Sequence, residues 1–380
     1  MKPVVDHEKP TVIPQEKGVE AYELASQWKL MWWRFRKHHL AIIAAPILIL
    51  LLLITAFCGF LGPHLPKDRF VDYKNAPPQQ IHFVDADGNF SLRPFVYDLE
   101  LEVDAGSYLR TYREVTSQKH ELSLFVEGKP YQFWGLFETN IHFLGLEDPS
   151  APFFILGTDE LGRDLFTRIL YGTRISISFA FAGILLTLVF GLLLGGISGY
   201  FGGITDTIIQ RIIDLLLCLP TIPLWMALSA SLPKDWTPTQ IYFGMVLIFS
   251  MVGWTGLARV VRGKILSLRE EDFTMAARLA GASHLRIITK HLLPSFASYI
   301  IINITISIPA LILGETALSF LGLGLQAPAV SWGVLLEDAQ HLESIAFHPW
   351  LLWPAAFVVV TVLVFNFLGD GLRDAADPYK

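Results

Sequence analysis

Residues 41–60 read AIIAAPILILLLLITAFCGF, and no charged side chain interrupts them. A membrane-spanning helix must close its backbone hydrogen bonds internally across roughly 30 Å of hydrocarbon, which takes about 20 apolar residues. Leu40–Leu61 meets that requirement. It is not expected to be a cleaved leader: 39 residues precede it, its apolar core is long, and no small-residue cleavage site follows. Five more stretches qualify as spans. They are Ile175–Tyr200, Leu215–Leu232, Thr239–Ala258, Ser295–Gly314 and Trp350–Leu368. The short third span is expected to begin near Thr205, with Asp206, Arg211 and Asp214 at its polar end.

The composition agrees. Of 380 residues, 52% are apolar and only 17% charged, against roughly 25% charged in ordinary globular proteins. That excludes a purely soluble enzyme and a disordered chain. With 29 basic and 35 acidic residues the net charge is −6, so the basic field of a nucleic-acid binder is absent and no nucleic-acid partner is expected. Cys58 and Cys218 each sit in an apolar run, which leaves no disulfide framework and no cysteine metal site.

Orientation follows from the short loops, because lysine and arginine accumulate on the cytoplasmic side. Lys29, Arg34, Arg36 and Lys37, with Lys2, Lys9 and Lys17, precede the first span. Arg259, Arg262, Lys264, Arg269, Arg278, Arg286 and Lys290 crowd the segment between the fourth and fifth. Glu315–Pro349 has neither lysine nor arginine. Six spans therefore place both termini in the cytoplasm. Residues 63–165 become external, since loops of that length cross largely regardless of charge.

Two segments stand outside the bilayer. Residues 17–37, KGVEAYELASQWKLMWWRFRK, mix aromatic and basic residues at helical spacing. They read as an interfacial helix on the anionic inner leaflet, with partner docking as the alternative. In 63–165, strand-like runs occur at Ile81–Val84, Phe90–Tyr97, Leu122–Val126 and Tyr131–Trp134. Asp87-Gly88 and Glu127-Gly128-Lys129-Pro130 are expected as turns between them. A small β-rich insert is predicted, with Phe133, Trp134, Phe137 and Phe143 in its core, or alternatively as platforms for sugars.

The sequence offers little catalytic chemistry. It has no GxxxxGK[ST] phosphate loop, no HExxH, no GxSxG and no histidines at metal-ligand spacing. Gly191, Gly195, Gly196 and Gly199 instead read as small residues that let helices approach in lipid. Asp159, Glu160, Arg163, Asp164 and Arg168 alternate in sign just before the second span and are expected to form a salt-bridged loop. Glu315 is a carboxylate at membrane depth, a functional candidate, or a boundary group in reach of water.

The most informative segment is Arg269–Pro294, REEDFTMAARLAGASHLRIITKHLLP. Good helix formers from Met275 to Ala280 lead to Gly281, which can supply a bend, and to Ser283, which can cap a second helix. Leu285, Ile288 and Leu292 recur at helical spacing, and Pro294 opens the next span. Ala276, Ala277 and Gly281 permit close approach by another surface. Physically this is a short helical elbow.

The run AA-x3-G-x9-H-x-LP from Ala276 to Pro294 resembles the coupling motif of bacterial ABC importer permeases. Met275 stands where that family has Glu, and His291 where it commonly has Ile. Three more stretches are similar to the dipeptide/oligopeptide/nickel branch: LGTDELGRDLFTRILYGTRISI (Leu156–Ile177), ETALSFLGLGLQAPAVSWG (Glu315–Gly333) and NFLGDGLRDAADP (Asn366–Pro378). The long insert is not covered by the resemblance.

The resemblance implies an all-α polytopic inner-membrane protein with six transmembrane helices and a cytoplasmic coupling helix over 270–293; the β-rich insert, read from its own residues, is expected to be periplasmic. The expected divisions are 1–39, 40–62, 63–165, 166–368 and 369–380, the last a cytoplasmic tail. It further implies a second related permease, two cytoplasmic ABC ATPases that carry the ATP and magnesium, and an external solute-binding protein. Met275, Ala276, Ala277, Gly281, Ala282, Ser283, His291 and Pro294 would contact the ATPase. Asp159, Glu160, Arg163, Asp164, Glu315 and Trp332 would lie in external loops near the pathway. No catalytic residue, metal site or cofactor is expected in this chain. Peptides are the first substrate class, oligosaccharides or nickel complexes the alternative. An ion-coupled secondary transporter or channel is the competing class, and it would be expected to show ionisable groups inside its spans or inverted repeats.

Overall fold

The computed structural model describes residues 27–103, 110–148 and 151–376. Residues 17–26 of the expected interfacial helix and residues 377–380 lie outside that range. Helix α1 (Gln27–Phe35) leads through a turn at His38 into α2 (His39–Leu61). His38 Nδ1 accepts the Ala41 N–H at 3.1 Å and so caps α2. Much of the α2 surface is bare apolar side chain, including Ile43, Ile49, Leu50 and Leu53, as a lipid-facing helix requires.

The insert is a four-stranded antiparallel sheet in the order β1 (His82–Val84), β2 (Phe90–Val103), β3 (Arg110–Phe133), β4 (Phe137–Leu146). The Asp85–Asn89 turn behaves as expected, with Gly88 at φ +86°. Glu127–Pro130 does not. It is a bulge inside β3, between the pairs Glu127–Ile141 and Tyr131–Thr139, so two expected strands are one. The long β3 pairs with β2 through its first half and with β4 through its second. The buried residues are Phe95, Val96, Tyr97, Leu99, Leu122, Tyr131 and Leu146 rather than Trp134, Phe137 and Phe143, which are exposed. Trp134 lies in the β3–β4 turn, and Phe137 opens β4 at the hairpin tip, beyond the packed part of the sheet.

Asp164 opens α3 (Leu165–Phe201), its carboxylate accepting the N–H groups of Phe166 and Thr167. Next come α4 (Gly203–Cys218) and α5 (Thr221–Ala230), bent by 89° to one another. The expected straight third span is thus a broken pair. Pro220 lacks an N–H and holds Leu219 extended, at φ −86° and ψ 136°. The polar end of α4 is tied to its neighbour: Asp206 accepts two bonds from Arg262, at 2.5 and 2.6 Å.

Helix α6 (Pro238–Leu268) starts with a reciprocal Thr237–Gln240 cap and Pro238 in its first turn. The short α7 (Asp272–Leu279) precedes α8 (Ala297–Phe320). Then follow α9 (Trp332–Asp338), α10 (Leu342–Phe347) and α11 (Trp353–Ala376). Among the described residues, five helices are long and apolar enough to cross a bilayer, six spans if the bent pair counts as one. Helix α11 continues eight residues into the expected tail. Gly371 there lies so close to α2 that an added Cβ would stand 2.4 Å from the Ala41 Cβ.

The centre of the bundle is the parallel contact of α3 with α6. Cβ atoms added at Gly191, Gly195 and Gly199 would come within 2.7, 2.6 and 2.8 Å of Leu257, Ala258 and Arg262. Only glycine allows that approach. Gly196 is not part of the stripe, its nearest neighbours being Ile288 and Ile265 at 3.8 and 3.9 Å. Phe179, Met245, Phe249, Ile312 and Trp332 fill the core between α3, α6, α8 and α9.

Candidate functional site

The elbow begins where α6 ends. Thr274 is buried and donates its hydroxyl to the Leu268 carbonyl at 2.8 Å, which locks α7 beneath the last turn of α6. The C-terminus of α7 closes with two bonds, Gly281 N–H to Arg278 O at 2.9 Å and Ala282 N–H to Ala277 O at 3.1 Å. These define a Schellman turn with Gly281 at its left-handed position, φ +77°. Ser283 then accepts the Arg286 N–H at 3.4 Å, as its position suggests.

From Ile287 to Leu292 the chain is π-helical. The wider turn brings residues five apart onto one side, so Ile287 and Leu292 are both buried while Leu285 is 71% exposed. A regular 3.6-residue period would have turned Leu285 inward. Ile287 and Leu292 pack with Tyr200, Val261, Ile265, Phe296 and Ile300. The α3 end joins in: Tyr200 Oη lies 2.9 Å from His284 Nδ1, and Arg269 donates to the Gly199 and Tyr200 carbonyls at 3.4 and 3.5 Å. The elbow is therefore fastened to both α3 and α6.

Its other face is bare. Met275, Ala276, Gly281 and Ser283 are exposed, as is Pro294 farther along; Ala277, Ala282 and His291 are half-buried. Ala277 and Ala282 lie against the bundle. Phe273 and Leu279 are exposed beside Met275 and Leu285, Leu279 to 88%. Burying such residues against a partner is favourable at about 25 cal/mol per Å2. Sequence reasoning did not single out Phe273 or Leu279. Their signal is hydrophobicity on a short helix whose opposite side is already used.

At the other end of the bundle the charged loop is a buried network rather than a solvated one. Asp159 and Arg168 are each 1% exposed and ion-paired to each other. Arg163 donates to Asp159 at 2.7 Å. Both arginines also reach Asp338, at 3.2 and 3.1 Å. Asp338 was not anticipated, lying 170 residues away in sequence. Burial pushes its carboxyl above the ordinary carboxylate range, against the pull of Arg168 and Arg163. Asp164 is likewise raised by burial. Glu160 stands apart, accepting the Ser344 hydroxyl at 3.2 Å.

Glu315 does not reach water. It is fully buried and accepts the hydroxyls of Ser176 at 3.1 Å and Ser319 at 2.9 Å. The same two hydroxyls take the N–H groups of Trp332 and Leu325. Glu315 and Trp332 thus belong to one joint that fastens α8 and α9 to α3. Among the described residues no cluster of three metal-ligating side chains occurs.

The sequence relationships agree with this geometry. Residues 188–379 match the binding-protein-dependent transport system inner membrane component family, and residues 26–78 the N-terminal TM domain of oligopeptide transport permease C. The oligopeptide transport system permease protein OppC of Bacillus subtilis is 39% identical over 236 residues, covering 62% of this chain and 75% of the relative. The dipeptide transport system permease protein DppC of the same organism is 42% identical over 232 residues, 60% and 70% of the two chains. Among solved structures, the inward-facing MetNI methionine ABC transporter overlaps 55% of this chain and 95% of its own, at TM-score 0.42 and 18% identity. With half of its length matched to the family and relatives at about 40% identity, the chain belongs to the binding-protein-dependent transport system inner membrane components and is a permease subunit of an ABC importer.

Proposed function

We propose that the chain forms half of a pathway for di- and oligopeptides that works by alternating access, driven by ATPases on separate chains. The elbow is the observation that carries this reading. Its exposed side, built from Phe273, Met275, Ala276, Leu279 and Gly281, is a compact apolar surface fixed to α3 and α6. An ATPase that grips it can move both helices together. Inverting a two-state equilibrium from 99:1 to 1:99 takes about 5.5 kcal/mol, and a rigid elbow passes that on without dissipating it in local bending.

In this reading the elbow and both termini face the cytoplasm, the insert and the loop 321–352 face outward, and the bent α4–α5 pair completes six spans. ATP and magnesium reside on the ATPases, and this chain holds no cofactor. A second related permease supplies the other half of the pathway, and a solute-binding protein delivers the substrate. Asp159, Arg163, Arg168 and Asp338 hold the outer ends of α3 and α9 in register, and Glu315 with Trp332 does the same one layer deeper. Peptide as substrate rests on the relatives, whose names are those of oligopeptide and dipeptide permeases.

The test is ATP hydrolysis by the reconstituted transporter with its binding protein. Peptide-loaded binding protein should raise turnover several-fold over the unloaded form. Stimulation by an oligosaccharide or a nickel complex instead would keep the importer and replace the substrate.

A further inference from the structure

We propose that the β3–β4 hairpin tip, Phe133–Phe137, is a lipid-binding foot that enters the bilayer leaflet on the insert's side. The inference needs only that α2 crosses the membrane.

The tip is fastened to the flank of α2, below that helix's end. Trp134 Nε1 donates to the Ala56 carbonyl at 2.9 Å. Ala56 precedes Leu61 by five residues, about 7.5 Å of helix at 1.5 Å per residue. Phe133 lies tilted against Phe57 with ring centres 5.8 Å apart, and Phe60 meets Phe125 and Phe143 at 6.1 and 5.7 Å. Tyr131 lies so close that an added Cβ at Gly59 would stand 2.6 Å from its ring. Arg174 of α3 covers the Trp134 indole at 4.0 Å from its centre. A hairpin held at that depth against a lipid-facing helix shares its solvent.

Its composition suits that solvent. Leu136 is 80% exposed, Phe137 56% and Trp134 47%. No charge occurs from Phe133 to Phe137; Gln132 and Glu138, paired to each other at 3.4 Å, form a polar collar just above. The β1–β2 turn, which lies toward the same end of the sheet but beside an earlier part of β3, carries Asp85, Asp87 and Asn89 instead. Trp and Arg at the same level are the side chains that favour the headgroup boundary.

The backbone adds an independent sign. Trp134 and Gly135 both have positive φ, +52° and +72°, and the Leu136 N–H bonds to the Phe133 carbonyl at 2.9 Å. Such a turn favours Asn-Gly. A tryptophan kept in left-handed geometry marks a place where its indole has a task. The exposed apolar surface of α2 runs directly into the tip, which makes lipid the occupant rather than a soluble partner.

The assembled transporter, reconstituted in anionic phospholipid vesicles, provides the test. A fluorophore is attached at Leu136→Cys in a Cys218→Ser background, with Asp87→Cys as the aqueous reference; both sites are exposed, so neither substitution disturbs packing. Doxyl-labelled phospholipid should quench the Leu136→Cys label several-fold more than the Asp87→Cys label, and aqueous iodide should do the reverse. Equal iodide quenching at both sites overturns the proposal. So does a Leu136→Cys label shielded from both quenchers, which would put the tip against the partner permease or the binding protein.

Discussion

Replacing Gly281 separates what the elbow needs for its own fold from what it needs for docking. The residue sits at φ +77°, and a Cβ built on it meets nothing within 4 Å of the rest of the chain. Any side chain therefore costs backbone strain but causes no internal clash. For an ordinary L-residue in left-handed geometry that strain is about 1–2 kcal/mol, enough to loosen the Schellman turn roughly 5- to 30-fold. Asn tolerates this conformation, so Gly281→Asn should keep most of the wild-type stimulation of ATP hydrolysis by loaded binding protein. Gly281→Ala should lose an intermediate amount. Gly281→Trp adds a bulky ring to a face that is open in the isolated chain, and it should abolish stimulation while membrane insertion and subunit expression stay normal. Wild-type transport by the Gly281→Trp protein would refute the docking assignment. Equal loss in the Asn and Trp variants would show that only the turn matters.

The remaining expectations concern the frame around the elbow. Gly195→Ala puts a Cβ 2.6 Å from the Ala258 carbonyl oxygen, so α3 and α6 must part by about 0.8 Å to regain a 3.4 Å contact; overpacking of this kind costs about 1–3 kcal/mol. The thermal midpoint in detergent should fall, whereas Gly196→Ala, with its nearest neighbour at 3.8 Å, should leave it unchanged. Arg168→Gln leaves Asp159 buried beside Arg163 alone and should destabilise by about 3–5 kcal/mol; adding Asp159→Asn should recover part of the loss in the same melting assay. Impermeant thiol reagents applied outside intact cells should label Asp87→Cys and miss Ser283→Cys, and the reverse pattern would invert the topology.

The spans were legible because hydrocarbon imposes one solution on the backbone, and Leu40–Leu61 could hardly be anything else. The elbow's turn was legible for a similar reason: Gly281 and Ser283 act locally, one through φ and one through a cap. What escaped was long-range or depended on register. Pro220 announces a break, but the sequence does not carry its 89° angle. The π-turn shifts the buried side from Leu285 to Ile287 without any compositional mark. Glu127–Pro130 has turn chemistry yet lies within a strand, because β4 supplies pairing on both sides of it. The enclosure of Glu315 depends on Ser176, 139 residues earlier, and that of Asp159 on Arg168 and Asp338.

The exposed face of the elbow is the proposed seat of the ATPase. Disulfide trapping of Ala276→Cys, in a transporter whose ATPase carries single cysteines across its membrane-facing surface, tests this most directly. The expected result is a cross-link to the ATPase that changes in yield when ATP is added, halts transport, and is reversed by reducing agent. A fully active transporter in which Ala276→Cys reaches no ATPase cysteine would contradict it.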